Sequence, residues 1–402
     1  MTAPSIVVVG AGASGCYAAQ ALRKALPEAE ITVLERLPVP FGLLRYGVAA
    51  DHQGTKGVQH QFERLLASQV SFVGGLELGH HIDLGQLTDL FDIVVLATGV
   101  PQDRRLGVDG DTLPGVIGAG RLTRALNSHP EDCMIPPVVG QRVAIIGSGN
   151  VAVDILRLLS RSAEEWDGSD MDEDILARII PQPVNEIHLV ARATAEAAHW
   201  DAAMIRELAG LRRPSFRLAG GAVDPASSPA ASALFGLLAA SPQVSGELTV
   251  NFHFQCIVEA IIGKDAAQGL RIKTAGGERR DLAVNTVVTA IGFDWTPHVM
   301  TAPRVYTTGW LRTGPQGTIP HQRTLAKQVV SEIVTDLRSG LIATGRPGRR
   351  ALPAGRTTNF DSWIRIDEVE RARAAAGRTR RKITSIEQMY DVACSSRSRE
   401  NV

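Results

Sequence analysis

Twice in this chain a β-branched run ends in a glycine-rich turn that opens a helix, and no other feature restricts the fold so tightly. The first copy reads Ile6-Val-Val-Val-Gly10-Ala-Gly12-Ala-Ser14-Gly15, with a helix expected over Ser14–Leu26 and a second strand over Glu30–Leu34. The second reads Arg142-Val-Ala-Ile-Ile-Gly147-Ser148-Gly149-Asn150-Val151-Ala152, with a helix over Asn150–Leu159 and a returning strand over Glu186–Val190. Each is a β-α-β unit and implies a parallel sheet. Phe91-Asp-Ile-Val-Val-Leu-Ala-Thr98-Gly99 reads as a buried strand ending in a tight turn, and Asn285-Thr-Val-Val-Thr-Ala-Ile-Gly-Phe repeats it, so each unit has a closing strand of its own. Turn-rich Pro101–Asp103 and Asp294–Pro297 mark two crossings. The expected architecture is therefore α/β, with two nested Rossmann-like dinucleotide-binding domains. Residues 1–102 and 296–402 form the first, and residues 103–295 form the second, inserted into it.

The glycines explain what such a turn does. Gly10 permits the tight turn, Gly12 lets a pyrophosphate approach the backbone, and Gly15 lets helix and strand pack closely, with the helix N-terminus facing the phosphates. Glu35, at the end of the second strand about 20 positions on, is placed to hold a ribose hydroxyl. In the second copy Ala152 replaces the third glycine, which still allows close packing. Two such turns in one chain are most simply read as two dinucleotides meeting face to face, a bound flavin and a nicotinamide donor.

Composition removes other classes. Lys plus Arg and Asp plus Glu number 42 each, so the molecule has no global field for nucleic acid or acidic lipid. With 44% hydrophobic and 21% charged residues, and no apolar stretch near the ~20 residues of a membrane span, a soluble protein is expected. Cys16, Cys133, Cys256 and Cys394 form no C-x-x-C pair and no zinc spacing, which argues against a disulfide reductase and against a metal site. The first strand begins within a few residues of Met1, so a reducing cytoplasm is the expected location.

Longer motifs narrow the reading. They are Glu35-Arg-Leu-Pro-Val-Pro-Phe-Gly-Leu-Leu-Arg-Tyr-Gly-Val-Ala-Ala-Asp-His52, Ala97-Thr98-Gly99, Gly147-Ser-Gly-Asn-Val-Ala-x-Asp154, Gly309-Trp-Leu-Arg-Thr-Gly-Pro-Gln-Gly-Thr-Ile319 and Phe360-Asp-Ser-Trp-x-x-Ile-Asp. Together they resemble the adrenodoxin reductase group of ferredoxin–NADP reductases, over roughly residues 5–393. The resemblance implies an FAD site built from Gly10, Gly12, Ser14, Gly15, Glu35, Arg36, Gly42, Leu43, Leu76, Thr98 and Gly99. A returning C-terminal segment, with Gly309, Trp310, Gly317, Thr318 and Ile319, would cover the flavin. Ser148, Gly149, Asn150, Val151 and Arg192 would bind NADPH or NADH, while His52, Glu207 and Asp154 would stand at the reactive edge. A histidine titrating near neutrality with a carboxylate to orient it can manage the proton that accompanies electron transfer.

The pattern breaks at the second site. Relatives place two adjacent arginines after the second-domain strand and a glutamate further on, to grip the 2′-phosphate; here Arg192 is followed by Ala193, and Met204 stands where the glutamate belongs. A charge-assisted hydrogen bond contributes about 1.5–3 kcal/mol, so NADPH should be favoured over NADH only modestly. Glu196, the nearest acid, lies too far beyond the strand to make a clean NADH site. Arg312-Thr313 replaces the relatives' Lys-Arg, and the segment between Pro297 and Val305 looks shortened.

The function expected is transfer of electrons from NAD(P)H through FAD to a ferredoxin-type iron–sulfur protein. Arg206, Arg212, Arg213 and Arg217 are candidates for docking an acidic ferredoxin, although the following stretch, residues 219–246, has no Lys or Arg. The rival reading is a specialised flavoprotein that acts on a small molecule, quinone or oxygen, with weak or no nicotinamide turnover. The Ala-, Ser-, Gly- and Pro-rich residues 219–247 are expected to be a surface excursion, and the Arg-rich stretch 371–382 a solvated helix and loop.

Overall fold

The computed structural model describes residues 2–220, 223–241, 247–296 and 302–395. Runs of Val, Ile and Leu buried on both faces form two parallel sheets, as expected where helices cover both sides. The first sheet has the order Val305–Thr307, Ile93–Leu96, Ser5–Val9, Glu30–Glu35, Ser71–Gly74, all parallel. The second has the order Val116–Gly118, Thr286–Thr289, Arg142–Ile146, Glu186–Val190, Leu248–His253, Pro214–Leu218, again all parallel. Every strand of the second sheet falls between Leu96 and Val305 in the chain, so the first sheet is completed only after the second. An antiparallel meander of Cys256–Ile262, Gly269–Thr274 and Arg279–Leu282 adds a small third sheet.

The two crossings run side by side. Arg104 N donates to Gly292 O at 3.0 Å and Asp294 N to Gln102 O at 2.8 Å, while the Asp103 carboxylate accepts from Gly120 N and Arg121 N at 2.7 and 2.9 Å, capping the helix Ala119–Leu126. Pro297, at the far side of the second crossing, lies outside the described residues. After the crossing, the long helix Ile319–Arg338 packs along the helix Ala13–Ala25, and Ser14 Oγ donates to Gln322 Oε1 at 3.0 Å.

Two expectations are corrected. Within residues 219–247 the chain forms a helix, Pro229–Ala240, in which Ala231 and Leu234 are fully buried against the second unit's core. Ser228 caps it by accepting from Ala231 N, and Pro229 fits the first helical position; Ala and Leu then supply both propensity and an apolar face, so what looks like low complexity is a packed helix. The Arg-rich stretch 371–382 is likewise not a solvated tail. Arg378 pairs with Asp167 and Glu173, Arg381 with Asp172 and Asp174, and the buried Lys382 lies 2.7 Å from the buried Asp170, which also binds the buried Lys56 at 2.8 Å. Beneath it Arg45 pairs with Glu370, both almost wholly buried, and stacks on Trp363. The strap survives burial because its buried charges, Arg378, Arg380 and Lys382, each have an opposite partner.

Candidate active site

The first glycine turn has the geometry of a phosphate cradle. Gly10 has φ +107°, and a Cβ there would lie 2.4 Å from Ala97 O; a Cβ on Gly15 would lie 1.8 Å from Gly10 O. Both positions are closed by the protein itself. Gly12, in contrast, has nothing within 4 Å of its missing Cβ, so the turn is open on the side where a pyrophosphate would lie. Phe41 is in the left-handed region, φ 85°, and its N–H donates to Ala11 O at 2.9 Å; this strained turn carries Gly42 and Leu43 over the cradle. Glu35 is buried, with its two carboxylate oxygens accepting from Ala11 N at 2.9 Å and Leu37 N at 3.3 Å. Burial pushes its carboxyl up, against those backbone N–H groups and Arg36. Each oxygen retains a lone pair for a ribose hydroxyl. Leu76 is buried and donates its N–H to Glu35 O, Thr98 is exposed, Gly99 has open space around it, and Arg36 pairs with Glu131 at the rim. These residues fit FAD.

The segment from Gly309 to Ile319 packs against the first unit. Gly309 has φ +66°, and a Cβ there would lie 2.3 Å from Ser14 Oγ, so the strand-to-helix turn presses directly on the first helix. Trp310 is half-buried with its ring 5.4 Å from that of Phe293, and Gly317 and Thr318 lead into Ile319 at the start of the long helix.

The second turn repeats the first. Gly147 has φ +135°, and a Cβ there would lie 2.3 Å from Ala290 O, while Gly149 is open. A following loop is stapled to this turn: His199 N donates to Ser148 O at 2.8 Å, Asn150 Nδ2 to Asp201 Oδ2 at 2.8 Å, and Asp201 N to Asn150 Oδ1 at 2.8 Å. Val151 is exposed beside it. Arg192 is exposed, with no ion-pair or hydrogen-bond partner among the described residues, and Met204 packs partly against the core.

Between the two units stands His52. Its Nε2 lies 3.3 Å from Glu207 Oε2 and its Nδ1 3.8 Å from Asp154 Oδ1, so the structure brings together all three residues expected at the reactive edge. Burial raises the Asp154 carboxyl above its ordinary value, against the pull of Arg157 and His52. Asp51, beside the histidine, accepts from both Arg157 and Arg161. Burial works to raise its carboxyl, but Arg157, then Arg161 and His52, hold it down at about 2.

A family model described as pyridine nucleotide-disulphide oxidoreductase matches residues 4–197. Cindoxin reductase of Citrobacter braakii is 40% identical over 97% of this chain and 91% of its own length, and mitochondrial NADPH:adrenodoxin oxidoreductase of Drosophila melanogaster is 31% identical over 96% and 93%. Among solved structures, the Mycobacterium tuberculosis oxidoreductase FprA, described with a covalent modification of NADP+, matches with a TM-score of 0.89 at 25% identity, covering 98% of this chain and 100% of that one. The chain belongs to the adrenodoxin reductase-like family of ferredoxin–NADP reductases.

All four cysteines are free, and burial pushes the Cys133 thiol up to about 12. The arginine cluster needs correction. Arg206, Arg212 and Arg217 are exposed, but Arg213 folds inward, donating to Arg161 O and Val184 O and lying near Glu247, so it is a structural brace. Sequence reading also missed Asp51 and Arg157 as members of the site; their only sequence signal was a charge beside a motif residue. Glu77, His80 and His81 gather on the surface, but His81 Nδ1 accepts from Glu77 N, which places the ring proton on Nε2 and leaves that nitrogen without a lone pair for a metal. No helix among the described residues is long and apolar enough to cross a membrane.

Proposed function

We propose that this reductase takes electrons from NADPH or NADH through FAD and delivers them to a ferredoxin-type iron–sulfur protein. The observation that carries the reading is the pair of matched glycine turns, with His52 of the first unit held between Asp154 and Glu207 of the second. FAD supplies acceptance of two electrons together and their release one at a time. The protein's part is placement. Gly10, Gly12, Gly15 and Glu35 seat the adenosine diphosphate half, and Gly309, Trp310, Gly317, Thr318 and Ile319 cover the ring system. Ser148, Gly149, Asn150 and Val151 receive the nicotinamide dinucleotide, with Arg192 at its adenosine end. His52, Asp154 and Glu207 manage the proton at the edge where the two meet.

The reading includes domain limits of 1–102 with 296–402, and 103–295, which the paired crossings at 102–104 and 292–294 support. Arg192, with Ala193 beside it in place of a second arginine, favours modest discrimination between NADPH and NADH. Arg206, Arg212 and Arg217 are the basic groups left to steer an acidic iron–sulfur partner, a smaller patch than the sequence alone suggested. The names cindoxin reductase and adrenodoxin oxidoreductase support a small electron carrier as that partner. Anaerobic stopped-flow mixing of the purified protein with NADPH and NADH side by side tests the reading. Bleaching of the flavin band by either is expected, and a flavin reduced by neither would overturn it.

A further inference from the structure

Arg157 lies on the helix Asn150–Ser160, three residues past Asp154, with its side chain 2% exposed. It serves three carboxylates. Its Nε and Nη2 donate to Asp51 Oδ2 and Oδ1 at 2.8 and 2.9 Å, Nη2 lies 2.7 Å from Asp154 Oδ1, and Nη1 lies 3.4 Å from Glu207 Oε2. A planar fork holds its donors in fixed directions toward the three acids, which the flexible point charge of an ammonium group does not. Asp51 belongs to the segment of the first unit that carries His52, whereas Asp154 and Glu207 belong to the second, so one side chain fixes the histidine's loop and both of its neighbours.

Asp154 and Glu207 face the imidazole, Asp51 precedes it in the chain, and Arg157 and Arg161 stand behind these acids. Arg157 meets all three carboxylates, whereas Arg161 meets Asp51 alone. The ends of the arrangement differ. Glu207 is half-exposed and meets solvent, while Asp154 is more enclosed and sits on the helix that opens from the second glycine turn. Arg157 lies nearer Asp154, at 2.7 Å, than Glu207, at 3.4 Å, and His52 Nε2 faces Glu207 while Nδ1 faces Asp154.

We infer that Arg157 is a positioning residue that holds Glu207, His52 and Asp154 in line as a proton path from solvent to the flavin edge. This rests on the reductase reading, and the test includes a measurement that needs no nicotinamide. In FAD-loaded protein, the flavin midpoint potential is followed against pH by anaerobic photoreduction, for the unmodified chain, Arg157→Gln, Arg157→Lys and Arg161→Gln. Loss of the Arg157 charge raises the carboxylates' proton affinity, so the pH at which the plot changes slope should rise by about one unit in Arg157→Gln. Arg161→Gln, which loosens Asp51 but touches neither neighbour of His52, should leave it in place. In stopped-flow, Arg157→Gln should slow flavin reduction about tenfold or more with KM changed less than about threefold. Arg157→Lys should recover the position of the slope change but not the full rate.

An unmoved slope in Arg157→Gln, or an equal shift in Arg161→Gln, would overturn the inference. Should Arg157→Gln not fold, Arg157→Lys carries the test, and wild-type rate in that variant would reject the need for a fork. If nicotinamides fail to reduce even the unmodified protein, the reductase reading falls while the photoreduction series still decides the role of Arg157.

Discussion

The two glycine turns are built alike and finished differently. Gly10 and Gly147 both adopt positive φ with a carbonyl, of Ala97 or Ala290, pressed where a side chain would start, and Gly12 and Gly149 are both open to a ligand. The third position separates them: Gly15 sits against Gly10 O with no room for a methyl group, whereas the second turn accommodates buried Ala152. So do the strand ends. Glu35 is buried and already fixed by backbone N–H groups; Arg192 stands in solvent. A cradle whose polar groups are fixed before the ligand arrives suits a resident cofactor, and an open one suits a substrate that must leave.

The largest effect that would break this comparison comes from exchanging the third positions. Gly15→Val should yield protein without flavin, or none that folds, because the new side chain has nowhere to go; Ala152→Gly should keep its full flavin content and lose no more than about 1 kcal/mol of stability. Flavin absorbance per protein and thermal melts decide it, and a yellow, stable Gly15→Val protein would remove the distinction.

Next comes the acid. Glu35→Gln should weaken FAD binding about tenfold to a hundredfold, the worth of a charge-assisted hydrogen bond, without changing KM for nicotinamide in protein reloaded with FAD. Titration of apoprotein with FAD measures the first and steady-state kinetics the second. Ala193→Arg should do the reverse. It should favour NADPH over NADH by about tenfold through the restored phosphate contact and leave flavin content alone. A native preference of a thousandfold would mean that another basic residue already grips the phosphate.

The partner surface gives a smaller effect. Arg212→Glu should slow ferredoxin reduction several-fold at low salt, and the difference should vanish as the Debye length falls from about 10 Å at 0.1 M to about 3 Å at 1 M. Flavin reduction by nicotinamide should be unaffected. If the charge reversal changes nothing at any salt, steering runs through other residues.

A pH effect sharpens the contrast in stability. His188 Nδ1 and His253 Nε2 meet at 3.0 Å inside the second sheet, and burial, with His188 and Arg280, holds His253 down at about 4. Its ordinary value is about 6.5, so between pH ~6.5 and ~4 the unfolded chain takes up a proton that the folded chain refuses, and stability falls as pH falls through that window. Hydrogen exchange at pH 7 and pH 5 should show the second sheet losing protection before the first, and His253→Gln should flatten the difference.

Much of this was legible in the sequence because backbone demands leave strong residue signatures. A positive φ beside a carbonyl needs glycine, and a parallel strand needs a β-branched run, so both turns, both closing strands and Glu35 could be read directly. What could not be read depends on where side chains go after folding. Arg157 is indistinguishable in sequence from a solvated helix arginine; only the approach of Asp51 from another unit, over a hundred positions away, buries it. Arg213 looks like its exposed neighbours but finds two carbonyls. The helix Pro229–Ala240 carried a readable start, Ser228-Pro229, that its plain composition concealed. The strap at 378–382 reads as a basic tail because its acidic partners at 167–174 lie some two hundred residues earlier.

The interrupted order of the first sheet also dictates a sequence of events during synthesis. The inner sheet has all its strands once residue 289 has left the ribosome, and can close around its own core. The outer one, though begun at residue 5, waits with the edge at Ile93–Leu96 unpaired until Val305–Thr307 arrives, and its first glycine turn stays uncovered until the helix ending at Arg338 is made. The nascent chain therefore acquires its nicotinamide-side fold first and can retain its flavin only near the end of translation.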